Sequence, residues 1–491
     1  MNPETIGLVE SDIVECVKCY IQDKRNRVNG KFRLVSYQVQ RLCEEPVGYL
    51  GDHYLLDVNL REKMVHYTPE EEEKYAEEEY ISFFVKVIPE HVPKLADYIK
   101  EMGCFRKEIL LYKHVIPRLQ DVMIGTRPFV PTAYFTKGER MIVFENLKSE
   151  GYSIVENTKN LLDFDHLKVA LQAIAKLHAS SLILEERSKT PIPKLFAGYL
   201  NENAYVDDDD HVRKINLENA IQVLCEMIKK IDKYARSDKL DEILEKVPAV
   251  VRKIYDFAKP SAVFRNVLNH GDLWCNNVMF RYEMIPTSVD GGINEEGHPA
   301  EGRKATSDRE DQQEAEKNAT ADTANSSSQL MMANTSSMKL TPVEAKLVDF
   351  QLARYAPPVL DVWTLIMLCS SRDFRRQHLQ TLLNIYYQTL GDLLESGCNG
   401  MRVEMIIPRA EYDAACEHFA LAGLIESLLF GHITLLPKQA AKSMLNSSES
   451  FDSFLRDSGK QRICLGAFEE AATYRSRMSE MLTELVDKFV H

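Results

Sequence analysis

The chain contains 491 residues, a length sufficient for two or three lobes that each have a hydrophobic core. Apolar residues make up 45% of the sequence and charged residues 27%, which is typical of a globular protein. The formal net charge of −14 argues against a nucleic-acid-binding protein, because neutralising phosphates requires clustered Lys and Arg side chains. An anionic ligand must therefore be bound by a local cationic pocket.

The sequence predicts a cytoplasmic protein without a membrane span. Its first residues lack the basic region and apolar core of a signal peptide, and its 10 cysteines are scattered, as is typical of reduced thiols. The most apolar late segment, residues 419–437, contains Glu426 and His432 and is a poor candidate for a membrane helix. No protein partner is evident from the sequence.

The first third of the chain has the patterns of an antiparallel sheet with flanking helices. Helical periodicity covers residues 8–22, and a second helix is predicted over residues 94–119. Runs rich in β-branched and aromatic residues, typical of strands, occur at residues 32–42, 53–67, 79–89, 132–138 and 140–147. From Phe164 onward helical patterns dominate. The prediction is an α+β protein with a strand-rich lobe, residues 1–147, and a larger helical lobe, residues 148–491.

Residues 284–341 interrupt the second lobe and are predicted to be a disordered insertion. They contain no Phe, Tyr or Trp, so they cannot bury enough apolar surface to offset the entropy lost on ordering. Strand-like segments lie on both sides, and removing the insertion leaves a hairpin. We predict that this hairpin brings Asp272 and Asn277 beside Asp349.

Asp272, Asn277 and Asp349 are residue types that phosphoryl transfer from a nucleotide requires. Mg²⁺ prefers oxygen ligands, which the Asp349 carboxylate and the Asn277 amide can provide. Asp272, in the string HGDLWCNN, can accept the proton of an attacking hydroxyl. We therefore predict Asn277 and Asp349 as metal ligands and Asp272 as a catalytic residue.

Lys86 is the candidate cation for the phosphates, because a lysine is unusual in the middle of the apolar strand ISFFVKVIP. The alternative is an exposed position on one face of that strand. Glu108, in the helix that follows, is the candidate counter-ion for Lys86. The alternative for Glu108 is a solvated helix position, like those expected for its neighbours Arg106 and Lys107.

Two further segments are candidates for contact with the nucleotide. Gly48 and Gly51 lie between predicted strands, where glycine lets backbone amides approach a polyphosphate; a simple hairpin turn is the alternative. Glu145 and Leu147 end the first lobe, where an extended linker could offer backbone groups to adenine; a plain connector is the alternative.

The order of these elements resembles that of the protein-kinase-like fold. More closely, the strings HGDLWCNN, LVDFQLARYAPPVLD, KLHASS and FRKEILLY are similar to those of the choline-kinase-like and ecdysteroid-kinase-like family of small-molecule kinases. The resemblance covers roughly residues 30–385 outside the insertion. It implies a two-lobed fold, ATP and Mg²⁺ as cofactors, and a small-molecule alcohol, such as an ecdysteroid, as the substrate.

Carried over by position, the resemblance implies a role for each motif residue. Asp272 would be the catalytic aspartate, while Asn277 and Asp349 would bind Mg²⁺. Lys86 would contact the α- and β-phosphates, and Glu108 would orient Lys86.

The resemblance also implies two residues that support the catalytic loop. His270 would brace this loop without reacting. Asp361 would cap the next helix and hold the catalytic loop, since Asp is a favourable N-cap residue.

The sequence favours a small-molecule kinase over a protein kinase. Eleven residues separate Asp349 from Asp361, too few for the activation segment that seats a peptide. A catalytically silent pseudokinase is the alternative, although the residues required for catalysis are all present. Two acceptor classes stay open: a steroid-like alcohol in an apolar pocket, and a choline-like amine that aromatic and acidic residues such as Tyr199, Tyr205 and Asp207–Asp210 could bind. An exposed loop is the alternative for Asp207–Asp210.

Overall fold

The computed structural model describes residues 2–25, 32–42, 50–62, 78–156, 160–286, 338–397, 400–456 and 458–490. The chain forms two compact units, one made of Met1–Arg281 with Pro342–His491 and the other of Tyr282–Thr341. The first unit contains both predicted lobes, residues 1–147 and 148–491, except for the segment that forms the second unit. The candidate site residues all belong to the first unit.

A five-stranded antiparallel sheet forms the N-terminal region, as the strand patterns predict. Its strand order is β1-β2-β3-β5-β4. β-branched and aromatic side chains suit these half-buried pleated surfaces. The strands are β1 (Phe32–Arg41), β2 (Asp52–Glu62), β3 (Glu78–Val87), β4 (Ala133–Lys137) and β5 (Met141–Glu145).

One face of this sheet packs against helix α1 (Glu10–Arg25). Phe83 and Val85 on β3 and Val17 on α1 belong to the same buried cluster. Because successive side chains of a strand point to opposite faces, Lys86 lies on the other face of β3. The alternation of side chains along β3 therefore places the hydrophobic core on one face of the sheet and Lys86 on the other.

The single helix predicted over residues 94–119 is interrupted. Gly103, with a φ of +64°, separates α2 (Pro93–Glu101) from α3 (Cys104–Leu110). A π-helical turn follows at Leu111–Val115 and leads into α4 (Ile116–Asp121). Pro117 lies at the start of α4, and a proline excludes the regular bond to the carbonyl four residues earlier. The wider turn before Pro117 accommodates this loss.

Helices dominate the rest of the chain, in agreement with the predicted α+β class. The first of them starts after Asp163, whose side chain accepts a hydrogen bond from the backbone N–H of His166. In the described part of this region the helices are α5 (Phe164–Ser188), α6 (Ile192–Leu195), α7 (Val212–Lys229), α8 (Asp232–Ala235), α9 (Leu240–Arg252), α10 (Ile254–Phe257), α11 (Val359–Cys369), α12 (Arg372–Gly397), α13 (Val403–Ile406), α14 (Arg409–Thr434), α15 (Lys438–Leu445), α16 (Ser448–Arg456), α17 (Gly459–Glu470) and α18 (Ala472–Leu485).

Two of these helices, α5 and α14, are long and apolar enough to cross a membrane by length and composition alone. However, 83% of the most apolar window of α5 and 72% of that of α14 are buried inside the fold. Helix α5 packs against α12, and α14 packs against α11. The two helices are therefore weak evidence for a membrane span.

Two small sheets position the segments around the predicted hairpin. Strand β7 (Val267–Asn269) pairs with β10 (Arg354–Ala356), and β6 (Tyr152–Ser153) pairs with β8 (Val278–Pro286). Strand β9 (Met338–Leu347) lies beside β8, so the predicted hairpin is present.

The predicted boundaries of the insertion, residues 284–341, are too wide. Met284–Pro286 continue β8 and Met338–Thr341 belong to β9, because backbone pairing extends a ladder beyond the last apolar side chains. Residues 287–337, for which disorder is predicted, lie outside the described residues.

Candidate active site

The predicted catalytic loop follows β7 and depends on a glycine. Gly271 has a φ of +78°, and a Cβ atom there would lie 2.2 Å from the backbone oxygen of Leu352. Only glycine fits this combination of backbone conformation and close approach. After Asp272, a 3₁₀ turn at Cys275–Asn277 leads directly into β8. The loop therefore starts and ends on paired strands.

Asp361 fixes the backbone of this loop from α11. Its Oδ2 accepts the N–H of His270 at 2.6 Å, and its Oδ1 accepts the N–H of Gly271 at 3.0 Å. Its carboxylate also accepts a bond from His178 Nε2 at 3.2 Å. Although burial by itself would raise the pKa of Asp361, the bond from His178 and the loop amides lower it.

The prediction that Asp361 caps its own helix is wrong. The N-cap of α11 is Pro358, which makes no side-chain capping bond, and Asp361 lies within the first turn. The carboxylate serves the catalytic loop because two loop amides face it. The second part of the prediction, that Asp361 holds the catalytic loop, agrees with these contacts.

His270 connects the catalytic loop to the end of β9. Its Nε2 donates to the backbone oxygen of Val348 at 2.9 Å, and its Nδ1 accepts the N–H of Asp272 at 3.2 Å. Burial lowers the pKa of His270, which favours a neutral ring with these two roles. This is the geometry expected of a residue that braces the loop.

The hairpin brings the two predicted metal ligands close to each other. The N–H of Val348 donates to the backbone oxygen of Asn277 at 3.0 Å, and Asp349 is the next residue. Asn277 Nδ2 donates to the backbone oxygen of Asp272 at 2.8 Å and to its Oδ2 at 3.1 Å. Asp272, Asn277 and Asp349 therefore lie together, as the hairpin predicts.

Lys86 joins the sheet to this cluster. Its Nζ donates to Glu108 Oε2 at 2.7 Å and to Asp349 Oδ1 at 2.8 Å. Lys86 is 4% exposed and Glu108 is 1% exposed, so the alternatives of an exposed strand face and a solvated helix position are both wrong. Although burial by itself would lower the pKa of Lys86, the charges of Asp349 and Glu108 raise it. Lys86 therefore stays a cation in a buried site.

The nucleotide-contact candidates occupy different surroundings. Gly51 lies against Lys86, because a Cβ atom at Gly51 would be 3.3 Å from both Cγ and Cε of that lysine. Gly48 lies outside the described residues. Glu145 forms ion pairs with Lys24 at 2.6 Å and Lys346 at 2.9 Å, so each of its carboxylate oxygens is bound to a lysine.

Leu147 lies just after β5, where the chain leaves the five-stranded sheet. Its backbone oxygen accepts the N–H groups of Glu150 at 3.1 Å and Tyr152 at 2.9 Å. These bonds turn the chain from β5 towards β6. Glu145 and Leu147 both line a cavity of about 450 Å³, which Lys86, Asp272 and Asp349 also line.

Two residues of the site were not assigned a role by the sequence. Gln351 is buried, lines the same cavity as Asp272, and its side chain acts to lower the pKa of the Asp272 carboxyl against the effect of burial. The sequence signal that could have identified Gln351 was its position two residues after Asp349, in the string DFQ. Lys107, expected to be solvated, is buried and donates to Asn203 Oδ1 at 2.6 Å and to the backbone oxygen of Ala353 at 2.9 Å.

A family comparison places the chain among known proteins. The model of the ecdysteroid kinase-like family matches residues 52–289 and 328–397, more than half of the sequence. The chain belongs to the ecdysteroid kinase-like family. No curated protein and no solved structure matches it. The matched residues of this ecdysteroid kinase-like protein include the Lys86, Asp272 and Asp349 cluster, but neither Gly48 nor Gly51.

The donor set of this ecdysteroid kinase-like protein fits Mg²⁺ carried by a nucleotide. The amide nitrogen of Asn277 is bonded to Asp272, so the amide oxygen is the atom that remains for a hard cation. Asp349 adds a carboxylate and has a φ of +71°, a strained conformation typical of functional sites. Among the described residues, no group of three or more His, Cys, Asp or Glu side chains could hold a metal ion by itself. Two protein ligands suit a Mg²⁺ ion that also binds substrate phosphates.

Proposed function

We propose that this protein transfers the γ-phosphoryl group of ATP to a hydroxyl group of a small-molecule alcohol, such as a steroid. One observation carries the proposal: Lys86 is paired with both Glu108 and Asp349 in a cavity that Asp272 and Asn277 also line. Phosphoryl transfer requires a cation, oxygen ligands for a metal and a proton acceptor in one place. Family membership supports the same reaction class.

Each residue of the cluster has a separate task in this reaction. Bound Mg²⁺ would neutralise charge on the phosphates, and Asn277 and Asp349 would hold it. Lys86 binds phosphate oxygens, and Glu108 keeps Lys86 in position and charged. The acceptor oxygen bonds to the γ-phosphorus while the bond from that phosphorus to the oxygen of ADP breaks.

Asp272 receives the proton that the acceptor hydroxyl loses. Burial, followed by the negative charge of Asp349, raises the pKa of the Asp272 carboxyl above its usual range. A raised pKa makes the carboxylate a better base near neutral pH. The bond from Asn277 Nδ2 orients the carboxylate.

A small acceptor is favoured by the short connection after the metal ligand. Strand β10 starts five residues after Asp349, at Arg354, and pairs with β7. Helix α11 starts soon afterwards, at Val359, and packs in the core. This connection offers no long segment on which a peptide substrate could lie.

The proposal is tested by ATP consumption in the presence of a panel of sterols, amino alcohols and sugars. We expect Mg²⁺-dependent turnover with at least one alcohol and its loss on addition of EDTA. Asp272→Asn keeps the size of the side chain and should lower kcat by about a hundredfold or more. Nucleotide binding without metal dependence and without turnover would overturn the proposal in favour of a pseudokinase.

A further inference from the structure

The catalytic loop contains a cysteine whose thiol contacts a second cysteine. Cys275 starts the 3₁₀ turn that ends with Asn277, and Cys369 is the last residue of α11. Their sulfur atoms lie 3.5 Å apart, and both residues are buried. The cysteines that the structure describes are free thiols, and no other two of their sulfur atoms lie within hydrogen-bonding distance of each other. Phosphoryl transfer gives this pair of thiols no task.

The two thiols are close enough to form a covalent bond after a small shift. A disulfide requires two sulfur atoms at about 2.0 Å, carried by side chains that point towards each other. Because the sulfur atoms of Cys275 and Cys369 are already in contact, a movement of roughly 1.5 Å brings them to bonding distance.

Cys369 is held firmly on its side of the pair. Its backbone oxygen accepts the N–H of Leu162 at 2.8 Å. Arg477 donates to the backbone oxygens of the neighbouring Leu368 and Ser370, at 2.9 and 3.0 Å. Helix α11 also packs along α14. Closing the gap between the sulfur atoms therefore moves the catalytic loop towards α11, and not α11 towards the loop.

A movement of Cys275 is transmitted to a predicted metal ligand in the same turn. The N–H of Asn277 donates to the backbone oxygen of Trp274 at 3.0 Å, and its side chain donates to Asp272. Asn277 is two residues after Cys275, so a pull on the turn changes the position of the Asn277 amide relative to Asp272. The thiol pair is thus placed where a covalent bond would disturb the candidate metal site.

We propose that Cys275 and Cys369 are a modification site: hydrogen peroxide joins them in a reversible disulfide, which displaces Asn277 and weakens the binding of Mg²⁺ with a nucleotide. The peroxide first oxidises one thiol to a sulfenic acid, as its O–O bond breaks and one water leaves. The other thiol then attacks this sulfur, the S–S bond forms and a second water leaves. In total the two thiols lose two electrons and two protons, and one peroxide becomes two waters.

Burial sets the rate of this reaction. The contact with Cys275, together with burial, raises the pKa of Cys369 and disfavours the reactive thiolate while the loop is closed. Oxidation therefore requires a local opening of the loop. A ligand that holds Asn277 in place opposes that opening. Mg²⁺ with a nucleotide should for this reason protect the two thiols from peroxide.

The formation of the disulfide is tested on the full-length protein. The protein is treated with hydrogen peroxide, the remaining thiols are alkylated, and unreduced peptides are mapped by mass spectrometry. We expect a cross-linked peptide pair that contains Cys275 and Cys369, with the mass of two hydrogens lost. Treatment in the presence of Mg²⁺ and a non-hydrolysable ATP analogue should yield less of this pair.

Calorimetry with Mg²⁺ and the same ATP analogue measures the effect on the site, which rests on the proposed function. Affinity should fall by about tenfold or more in the oxidised protein, as when the groups that orient a metal ligand are disturbed. Dithiothreitol should reverse both the cross-link and the loss of affinity.

Variants of Cys369 separate this disulfide from other oxidation. Cys369→Ala and Cys369→Ser leave the catalytic loop unchanged, so in the reduced state both should bind the analogue as the wild type does and should keep that affinity after peroxide. Cys369→Ser retains the volume of the side chain if Cys369→Ala is unstable. Cys225→Ala is the matched control, because Cys225 is a buried cysteine of α7 outside the pair. This control should lose affinity on oxidation as the wild type does.

The outcomes distinguish this proposal from the proposed function. Absence of the mapped pair, unchanged affinity in the cross-linked protein, a loss that dithiothreitol does not reverse, or full peroxide sensitivity in both Cys369 variants would each overturn the proposed site. A reduced wild-type protein that binds no Mg²⁺–nucleotide, but still forms the mapped disulfide, would instead overturn the kinase proposal and leave the disulfide assignment standing.

Discussion

At the scale of single residues, the site depends on positions where backbone and side chain are constrained together. Asp349 combines a left-handed φ of +71° with an ion pair to Lys86. Asp and Asn tolerate this conformation better than other residues with a Cβ atom. Gly271 is constrained by a neighbouring carbonyl as well as by its φ. Substitutions at Asp349 therefore test a backbone conformation and a charge, whereas substitutions at Gly271 test a backbone conformation and a steric contact.

Asp349→Asn should abolish turnover while leaving the fold intact. The amide keeps the tolerance for a left-handed backbone but removes the charge that serves the metal, so kcat should fall by about a hundredfold or more. The melting temperature should stay close to that of the wild type, because Lys86 retains Glu108. Asp349→Ala should lose the same activity and additional stability from backbone strain. Wild-type turnover in Asp349→Asn would exclude this residue as a metal ligand.

Gly271→Ala should destabilise the protein more than Gly125→Ala. Both glycines have a φ of +78°, so both variants suffer about 1–2 kcal/mol of backbone strain. At Gly271 the new Cβ also displaces the Leu352 carbonyl, which adds about 1–3 kcal/mol, whereas nothing lies within 4 Å at Gly125. Urea unfolding of both variants measures the difference. Equal losses would mean that the carbonyl moves at no cost.

At the scale of elements, helix α3 connects the sheet to the second half of the protein through two consecutive residues. Glu108 pairs with Lys86 on β3, whereas Lys107 donates to Asn203 and to the backbone of Ala353. The turn that ends with Gly103 orients α3 for both contacts. Lys107 is buried without an ion pair among the described residues, which makes its protonation costly.

The stability of the fold should rise with pH because of Lys107. Burial lowers the pKa of Lys107 to about 8, below its ordinary value of 10.5. Between these two values the unfolded chain binds more protons than the folded one, so the free energy of unfolding increases with pH, by on the order of 3 kcal/mol in all. Below pH 8 both states are protonated and the cost of burial is fully present.

The measurement compares urea unfolding of the wild type and Lys107→Met from pH 7.5 to 10.5. Other titrating groups, such as the buried Lys460, contribute equally to both proteins. The wild type should gain more stability over this range than Lys107→Met does. Identical pH slopes would contradict the lowered pKa.

At the scale of the whole molecule, the candidate site gathers residues from distant parts of the chain into one compact unit. Lys86 and Asp349 are 263 positions apart in sequence, and the insertion lies between Asn277 and Asp349. Tyr282–Thr341 form a compact unit of their own that contains none of the candidate site residues. We therefore predict that the insertion is separable from the proposed chemistry.

Replacing residues 287–337 with a short Gly-Ser linker should leave turnover and melting temperature near the wild-type values. The replacement retains the described strand residues up to Pro286 and from Met338. A long loop adds closure entropy only logarithmically, so shortening it has a small effect on stability. A large loss of turnover or a collapse in melting temperature would show that the removed residues contribute to the fold or the site.

Patterns within short stretches predicted much of the architecture. The strands, the helix-rich remainder and the hairpin on either side of the insertion all follow from local periodicity and composition. The prediction failed where a local rule competed with a distant contact. Asp361 suits an N-cap, but its carboxylate binds the amides of His270 and Gly271. Lys107 suits a solvated helix, but distant acceptors bury it.

By itself, the sequence determined the residue types available for phosphoryl transfer, their order along the chain and the reaction class that they favour. Only the tertiary structure decided that Lys86 reaches both Glu108 and Asp349, and that the catalytic loop places Cys275 against Cys369. The physical reason is that local patterns depend on the spacing of neighbouring residues. Contacts between distant residues depend instead on how whole elements pack, which no short stretch encodes.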